Sequence, residues 1–531
     1  MSLSTSSINI VSLLKYVKRV NMNKKLSLIL ALFLITNNFA CADYKNDLRT
    51  LFLNNKSNIC GINLRTFNAQ DKNDNEIIDN DEISGNFINA VDRLDELKAL
   101  NINTLHVLPI TPVGKLKALG TAGSVYAISD FWSINPQLVD TNSELSDIEQ
   151  AKYFISECHR RGIRVLIDLP SCGSYDLFLT HPELFIKDER QCSIVPTDWT
   201  DVRLLNTGND EKLNQDVLNA HKKFVDFVLE LGADGIRADV ATIKPYKFWE
   251  EVIKYTREKS PEFMYLAEAS DSWREPPSKF AEFTPHDKLL EAGFDGYYGS
   301  FFNLKDWKTS EEFFEHIRFN KKLLSSYKEP KSVIMSFTTH DEVSPIILYG
   351  ESFSNMISWL EATLPFNPYI IDGFYTGDNY LYKWANTKAT ETQTDDDYYF
   401  VHRGKLDIFN FSRKPDGKNN NVLTNFKKAF EFRKNNEDLV TKGSFNELNT
   451  DNEKVFAYSR SLAEESIIVI GNLDHKNEYK KISIKIPNYK KRTKIENITD
   501  SNAVKIRGNK LYIDLSAGEI IVLKYINKKK G

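Results

Sequence analysis

Five cysteines in 531 residues, and a net charge of only −4 from 69 basic and 73 acidic side chains, leave this chain short of several common signals. The cysteine spacing fits no metal finger. The near-cancelling charge, without a basic stripe, argues against a nucleic-acid binder. The most apolar stretch, residues 26–35, is ten residues long and includes Ser27, about half the length a transmembrane helix needs. A glycine-rich phosphate loop after the first strand, the mark of many open nucleotide-binding sheets, is missing. The histidines show no metal-ligand spacing. What remains is a globular protein of two to four domains with ample material for a core. Its 12% aromatic content, with 33 Phe and 23 Tyr, suits either a filled core or sugar stacking and decides nothing by itself.

The small net charge conceals a partition. Residues 1–42 hold no acid and five bases, Lys15, Lys18, Arg19, Lys24 and Lys25, which leaves 64 bases against 73 acids in the remainder. Lys24-Lys25, the short apolar run and Ala40-Cys41-Ala42 form the order of an export signal, with Met22 an alternative start. Export to a periplasm or the outside is therefore expected. A lipid anchor at Cys41 is a weaker reading, because Asn38-Phe39-Ala40 fits a lipoprotein signal poorly. An oxidising compartment permits a disulfide, and Cys172 and Cys192 are the nearest pair in sequence.

From residue 59 onward, short apolar runs alternate with amphipathic segments. Strands are expected at 59–64, 104–110, 165–167, 235–240, 264–267, 294–298, 333–337 and 369–374. Helical faces separate many of them, for example Ile148, Ala151, Ile155 and Cys158, or Phe224, Val228 and Leu231. Eight strands, most followed by helices, predict a closed (β/α)8 TIM barrel over 43–440. The alternative is an open doubly wound sheet. Residues 171–212 are too long for an ordinary loop and read as a short excursion after the third strand. From 441 to 526 the runs become short, β-branched and turn-separated, which predicts a C-terminal all-β sandwich domain. Residues 527–531 are a basic tail.

Chemistry in such a barrel gathers where strands end. Asp168, Asp239, Glu268 and Asp341 all sit at those positions, and Arg237 lies two residues before Asp239. Four carboxylates at one mouth repel one another unless a cation compensates them, and Arg237 is placed to do so. A single strand-end acid is often only a helix cap, but four in one barrel point to a site.

These segments resemble those of the α-amylase family, glycoside hydrolase family 13, over roughly residues 59–525. Gly232-Ala233-Asp234-Gly235-Ile236-Arg237-Ala238-Asp239 is similar to the fourth-strand signature. Tyr265-Leu266-Ala267-Glu268 is similar to the fifth-strand segment, and Phe337-Thr338-Thr339-His340-Asp341 to the seventh. Arg161 through Asp168 resembles the third-strand segment, Gly123-Ser124-Val125-Tyr126 with Asp130 a substrate loop, and Leu364-Pro365 through Gly377-Asp378 the eighth-strand region. Val455-Phe456-Ala457-Tyr458-Ser459-Arg460 matches the family's C-terminal domain.

The resemblance implies a retaining hydrolase or transglycosidase acting on α-glucosidic bonds. In it Asp239 is the nucleophile, oriented by Arg237, and Glu268 is the acid/base. His340 and Asp341 grip hydroxyls, Tyr126 stacks on the sugar, and Asp168 belongs to the substrate site. Asp239 beside Arg237 is expected to keep a lowered pKa, and Glu268, facing other acids, a raised one. The implied partner is an α-glucan or oligosaccharide, with no organic cofactor, no nucleic acid, no membrane span in the mature chain, and a monomeric enzyme.

One departure stands out. The family's third-strand Asp usually precedes an Asn-His pair, whereas Asp168 is followed by Leu169-Pro170-Ser171-Cys172-Gly173, which removes one substrate contact and one usual calcium ligand. Such replacements resemble the branch that transfers maltosyl units from maltose 1-phosphate, as do His181-Pro182-Glu183-Leu184-Phe185 and Lys244-Pro245 with Phe248-Trp249. Maltosyl transfer is therefore the alternative activity, and a catalytically inactive glycan- or protein-binding barrel the alternative class.

A separate oxygen-rich loop follows the first strand. Asp71, Asn73, Asn75, the carbonyl of Ile77, Asp79 and Glu82 fall at the offsets of a calcium loop, although Glu76 stands where glycine usually makes the turn. Ca2+ is thus the one expected ion. Trp199, Trp273, Trp307 and Trp384 lie in loop-like segments, as sugar platforms or as core.

Overall fold

The computed structural model describes residues 44–526 apart from 74, 76–77, 197–198, 277, 380–381, 385–398, 402–407, 412–418, 488, 490–492 and 501–503, and the side chains of 382–384 and 399–401. Residues 1–42, expected as an export signal, the tail 527–531, Ile77 and the Trp384 side chain therefore lie outside the described set. Among the described residues no helix is long and apolar enough to cross a membrane.

All eight expected strands are present and parallel. They are β1 (Ile59–Ile62), β2 (Thr104–Val107), β3 (Arg164–Leu169), then β6 (Gly235–Ala238), β7 (Met264–Ala267), β8 (Gly296–Tyr298), β9 (Ser332–Met335) and β10 (Asn367–Ile371). β10 pairs back onto β1, closing the barrel. The excursion supplies the missing numbers: β4 (Cys172–Ser174) and β5 (Val202–Leu204) form a separate antiparallel ribbon. The helix Asp147–Arg160 begins in a capping box of Ser146 with Glu149. It gives way to β3 through Gly162, whose φ of +75° favours glycine.

Alternation along the strands sorts the barrel. Val165, Ile167, Ile236, Tyr265 and Val333 face outward into the main core with helix residues such as Ile155, Phe224 and Val252. Ile59, Leu166, Met264, Leu266 and Ile334 face inward, packed with Leu48 and Phe52 of the helix Leu48–Leu53. One step further along the inner face the side chains turn polar: His106, Asp168 and Arg237 are all buried there. Gly61 makes room for this layer, because a Cβ on it would lie 2.8 Å from the Tyr369 hydroxyl.

Beyond the barrel, β11 (Tyr382–Trp384) pairs with β12 (Tyr399–Val401). Helices Asn420–Asn435 and Glu437–Lys442 then precede β13 (Ser444–Glu447), β14 (Val455–Leu462), β15 (Glu465–Asn472), β16 (Tyr479–Lys485), β17 (Ile495–Asn497), β18 (Lys505–Arg507), β19 (Lys510–Leu515) and β20 (Ile520–Ile526). They form antiparallel sheets in the orders β13-β14-β15-β20-β17 and β16-β19-β18. Ile468, Ile470, Ile484, Ile513 and Leu523 fill the space between the sheets. Ile467, Val469 and Val522, on the other face, join the main core, so β15 and β20 read as unbroken apolar runs. β13, β17 and β18 are largely exposed, which is why hydrophobic patterning does not reveal them.

Buried acids lace the end of the barrel where strands begin. Asp234 accepts from Val165 N–H at 2.8 Å and from His159 Nε2 at the same distance. Asp295 accepts from Tyr265 N–H at 2.9 Å and from Arg49 and Arg257, each at 2.8 Å. Replacing Asp295 with Asn discharges the centre of that clamp. The variant should lose roughly 2–3 kcal/mol, read as a lower urea midpoint; an unchanged midpoint would contradict this account of the clamp.

Candidate active site

Arg237 points inward from β6 and is fully buried. Its Nη1 donates to both Asp168 oxygens, at 2.8 and 2.9 Å, and to Asp239 Oδ1 at 3.0 Å. Its Nη2 pairs with Glu268 Oε1 at 2.9 Å, and its Nε donates to the Tyr298 hydroxyl at 3.2 Å. One guanidinium thus faces three carboxylates carried by adjacent strand ends. Asp341, the fourth acid, is 3.2 Å from His340 Nε2, and its side chain is 38% exposed.

Tyr126 joins the two groups. Its hydroxyl donates to Asp168 Oδ2 at 2.8 Å and lies 3.1 Å from His340 Nε2, and the two rings stack. The structure therefore brings together every catalytic and substrate residue expected from the sequence: Asp168, Arg237, Asp239, Glu268, His340, Asp341 and Tyr126. Asp239, Glu268, Asp341, His340 and Tyr126 line a cavity of about 350 Å³. Trp199 and Trp273 are in its wall as well, whereas Trp307 packs into the core against Phe313 and His316.

The electrostatics correct one expectation. Asp239 does not keep a lowered pKa. Burial raises it, Arg237 opposes, Asp168 adds repulsion, and the result is about 6. The reason is division of one charge: Asp168 takes two of the Nη1 contacts and Glu268 faces Nη2. For Asp168 burial acts upward too, but Arg237 and His106 outweigh it and hold that acid below its ordinary value. Burial carries Glu268 up to about 8, opposed by Arg237 and reinforced by Asp239 and Asp341. At neutral pH Asp239 is charged and Glu268 protonated, so the two differ in the expected direction.

Several site residues had no local signal. His106, dismissed on spacing, bridges Asp168 Oδ2 at 3.1 Å and the Tyr369 hydroxyl at 2.8 Å; its inward position on β2 could have flagged it. Cys172, Phe302, Ile408 and Phe409 also line the cavity. Cys172 and Cys192 are not bonded: all four described cysteines are free, with Cys172 buried and Cys192 exposed.

The oxygen-rich loop is only partly arranged for an ion. Asn73 and Asn75 both donate side-chain amides to Asp79 Oδ2, at 2.9 and 2.8 Å, and Asp71 is buried. Turning the Asn75 amide would present its oxygen instead, but Asn73 Oδ1 already accepts from Asn75 N–H at 2.9 Å, so the loop would have to rearrange around Asp71, Asn73, Asn75 and Asp79 to hold a hard cation. Glu82 does not fit position twelve of a calcium loop. Its carboxylate already accepts from the backbone N–H groups of Asn73 and Asp79 and closes the loop itself. Among the described residues no three His, Cys, Asp or Glu side chains form a metal-binding group.

No protein-family model matches the chain. It is 24% identical over 439 residues to "Alpha-amylase 3" of Dictyoglomus thermophilum, covering 73% of this chain and 81% of that one. It is 25% identical over 412 residues to an α-1,4-glucan:maltose-1-phosphate maltosyltransferase of Picrophilus torridus, covering 74% of this chain and 59% of the transferase. In fold it matches an α-amylase from Lactobacillus plantarum with a TM-score of 0.66 at 20% identity, over 89% of this chain and 99% of that one. A maltogenic α-amylase from Thermotoga neapolitana gives 0.66 at 19% identity, over 90% and 99%. By sequence the chain is similar to an α-amylase and to a maltose-1-phosphate maltosyltransferase, and its fold is that of α-amylases.

Proposed function

We propose that this protein is a retaining enzyme that cleaves or transfers α-glucosidic bonds in α-glucans or malto-oligosaccharides. The observation that carries the reading is a single buried Arg237 shared by Asp168, Asp239 and Glu268 beneath an aromatic-walled cavity. Retention requires two displacements by two carboxyl groups. Asp239, ionised, attacks the anomeric carbon, and the glycosidic bond breaks as Glu268 gives its proton to the leaving oxygen. Glu268, now a carboxylate, takes a proton from water or a sugar hydroxyl. That oxygen displaces Asp239 from the glycosyl ester. Asp341 and His340 hold the ring being cleaved, and Tyr126 forms its platform. The acceptor decides between hydrolysis and transfer.

A second reading, maltosyl transfer from maltose 1-phosphate, is favoured by Cys172 in the cavity wall, within the loop that replaces the Asn-His pair. A binding-only barrel fits less well, since Asp239 and Glu268 line the same cavity as Asp341 and differ in charge state. The export segment supports secretion, where an α-glucan substrate would be met and a phosphosugar would not. Ca2+ at Asp71, Asn73, Asn75 and Asp79 would stabilise the loop after β1.

Asp239→Asn and Glu268→Gln should each lower release of reducing ends from starch or maltotriose by ~10³-fold or more at unchanged melting temperature. Wild-type turnover in either variant would remove the assignment. Phosphate release from maltose 1-phosphate with glycogen would instead select the transferase.

The rate should follow a bell in pH. It falls below about 6 as Asp239 is protonated and above about 8 as Glu268 ionises, and Glu268→Gln should erase the alkaline limb from the residual rate. An acid limb near the ordinary carboxylate value would contradict the shared-charge account.

Millimolar Ca2+ should raise the unfolding midpoint relative to chelator, and Asp79→Ala should abolish the rise. Equal midpoints in calcium and chelator would dispose of the ion site.

A further inference from the structure

Lys244 is a buried cation with no part in the reaction as written. It lies just past the short 3₁₀ helix Ala241–Ile243 and is 1% exposed. Its Nζ donates to the carbonyl of Ser171 at 2.9 Å. Its own carbonyl accepts from Thr284 Oγ1 at 2.8 Å, which fixes the segment from below. Ser171 in turn grips the proposed nucleophile twice: its N–H donates to Asp239 Oδ2 at 3.1 Å, and its hydroxyl bonds to the Asp239 carbonyl. The next residue, Val240, has φ +33° and ψ +54°, a conformation that a β-branched residue adopts only when its surroundings impose it. That turn aims Val240 N–H at Glu268 Oε2, 2.7 Å away.

We propose that Lys244, acting through Ser171, is the positioning residue that fixes both reacting carboxylates. This rests on the glycosidase or transglycosidase reading above. Lys244 anchors the Ser171 carbonyl, Ser171 holds the side chain and carbonyl of Asp239, and the resulting turn delivers the amide that Glu268 accepts. The loop after β3 thereby serves the catalytic pair without contributing a reacting group.

The electrostatic surroundings give the direction of the expected change. Lys244 has Cys172, Asp239 and His221 near it. Asp239 is faced by Arg237 from β6, Asp168 from β3 and Ser171 from the loop, by Glu268 after β7, by Tyr126 across the cavity, and by Lys244 and Cys172. Amide donors to a carboxylate favour its charged form. Loosening Ser171 and Val240 should move both limbs of the pH profile upward.

The experiment is kcat, KM and the pH profile of Lys244→Met on maltotriose, beside Asp239→Asn. Positioning predicts kcat down about 10- to 100-fold, KM within threefold, and both limbs displaced to higher pH. A purely structural lysine would lower the melting temperature and leave kcat and both limbs at wild-type values, which would overturn the proposal. If Lys244→Met does not fold, Ser171→Ala decides. It should lower kcat about 5- to 10-fold with the alkaline limb raised, and a wild-type profile would overturn the proposal. Turnover surviving in Asp239→Asn defeats the glycosidase reading itself. A dead Asp239→Asn beside a wild-type Lys244→Met defeats only the positioning role.

Discussion

The site depends on one cation buried among more carboxylates than it can neutralise. Arg237 has a single charge and faces Asp168, Asp239 and Glu268. In a buried setting that deficit is expressed as protonation, because an uncompensated ion in low dielectric costs several kcal/mol. The acid with the closest double contact, Asp168, keeps its charge. The remainder of the compensation is too small for both Asp239 and Glu268. Their different neighbours then decide which one carries the proton. Glu268 faces Asp239 and Asp341, and it is the one held neutral.

That arrangement is possible because strand alternation divides the barrel interior into two layers. Toward the strand starts, Leu166, Met264 and Ile334 make a dry plug with Leu48 and Phe52. One inward position further on, the barrel places His106, Asp168 and Arg237. The apolar layer closes the barrel on one side, and the polar layer next to it is itself fully buried. Asp234 and Asp295, at the opposite end, solve a separate problem. They accept the amides of Val165 and Tyr265, the second residues of β3 and β7, which would otherwise need partners there.

Much of this was legible in the chain. Each of the eight strands carries a local apolar run, and Asp239 and Glu268 each directly follow one, so periodicity and position locate them together. β13, β17 and β18 escaped because their exposure leaves no apolar pattern. The raised pKa of Asp239 escaped for a different reason. Only Ala238 separates it from Arg237, which suggests an exclusive pair, but the competing partners Asp168 and Glu268 arrive from β3 and from the end of β7. His106 and Phe409 are likewise assigned by closure of the barrel and the packing of distant loops, and neither has a neighbour in sequence that announces its role.

The loop after β3 departs from the segment of the family that the sequence resembles, yet it still reaches Asp239. Leu169-Pro170-Ser171-Cys172 offers no imidazole and no carboxamide to a ligand. It does offer Ser171, whose amide and hydroxyl both reach Asp239, and Cys172, which starts β4 and takes up cavity wall. Proline before Ser171 removes one amide that would otherwise need a partner. The β4–β5 ribbon then fixes the loop's far end through the pairing of Cys172 with Leu204. A segment tied at one end to a barrel strand and at the other to a ribbon has little freedom left. Its remaining polar groups are thereby available to hold the carboxylate beside them, while aromatic side chains make up much of the cavity wall.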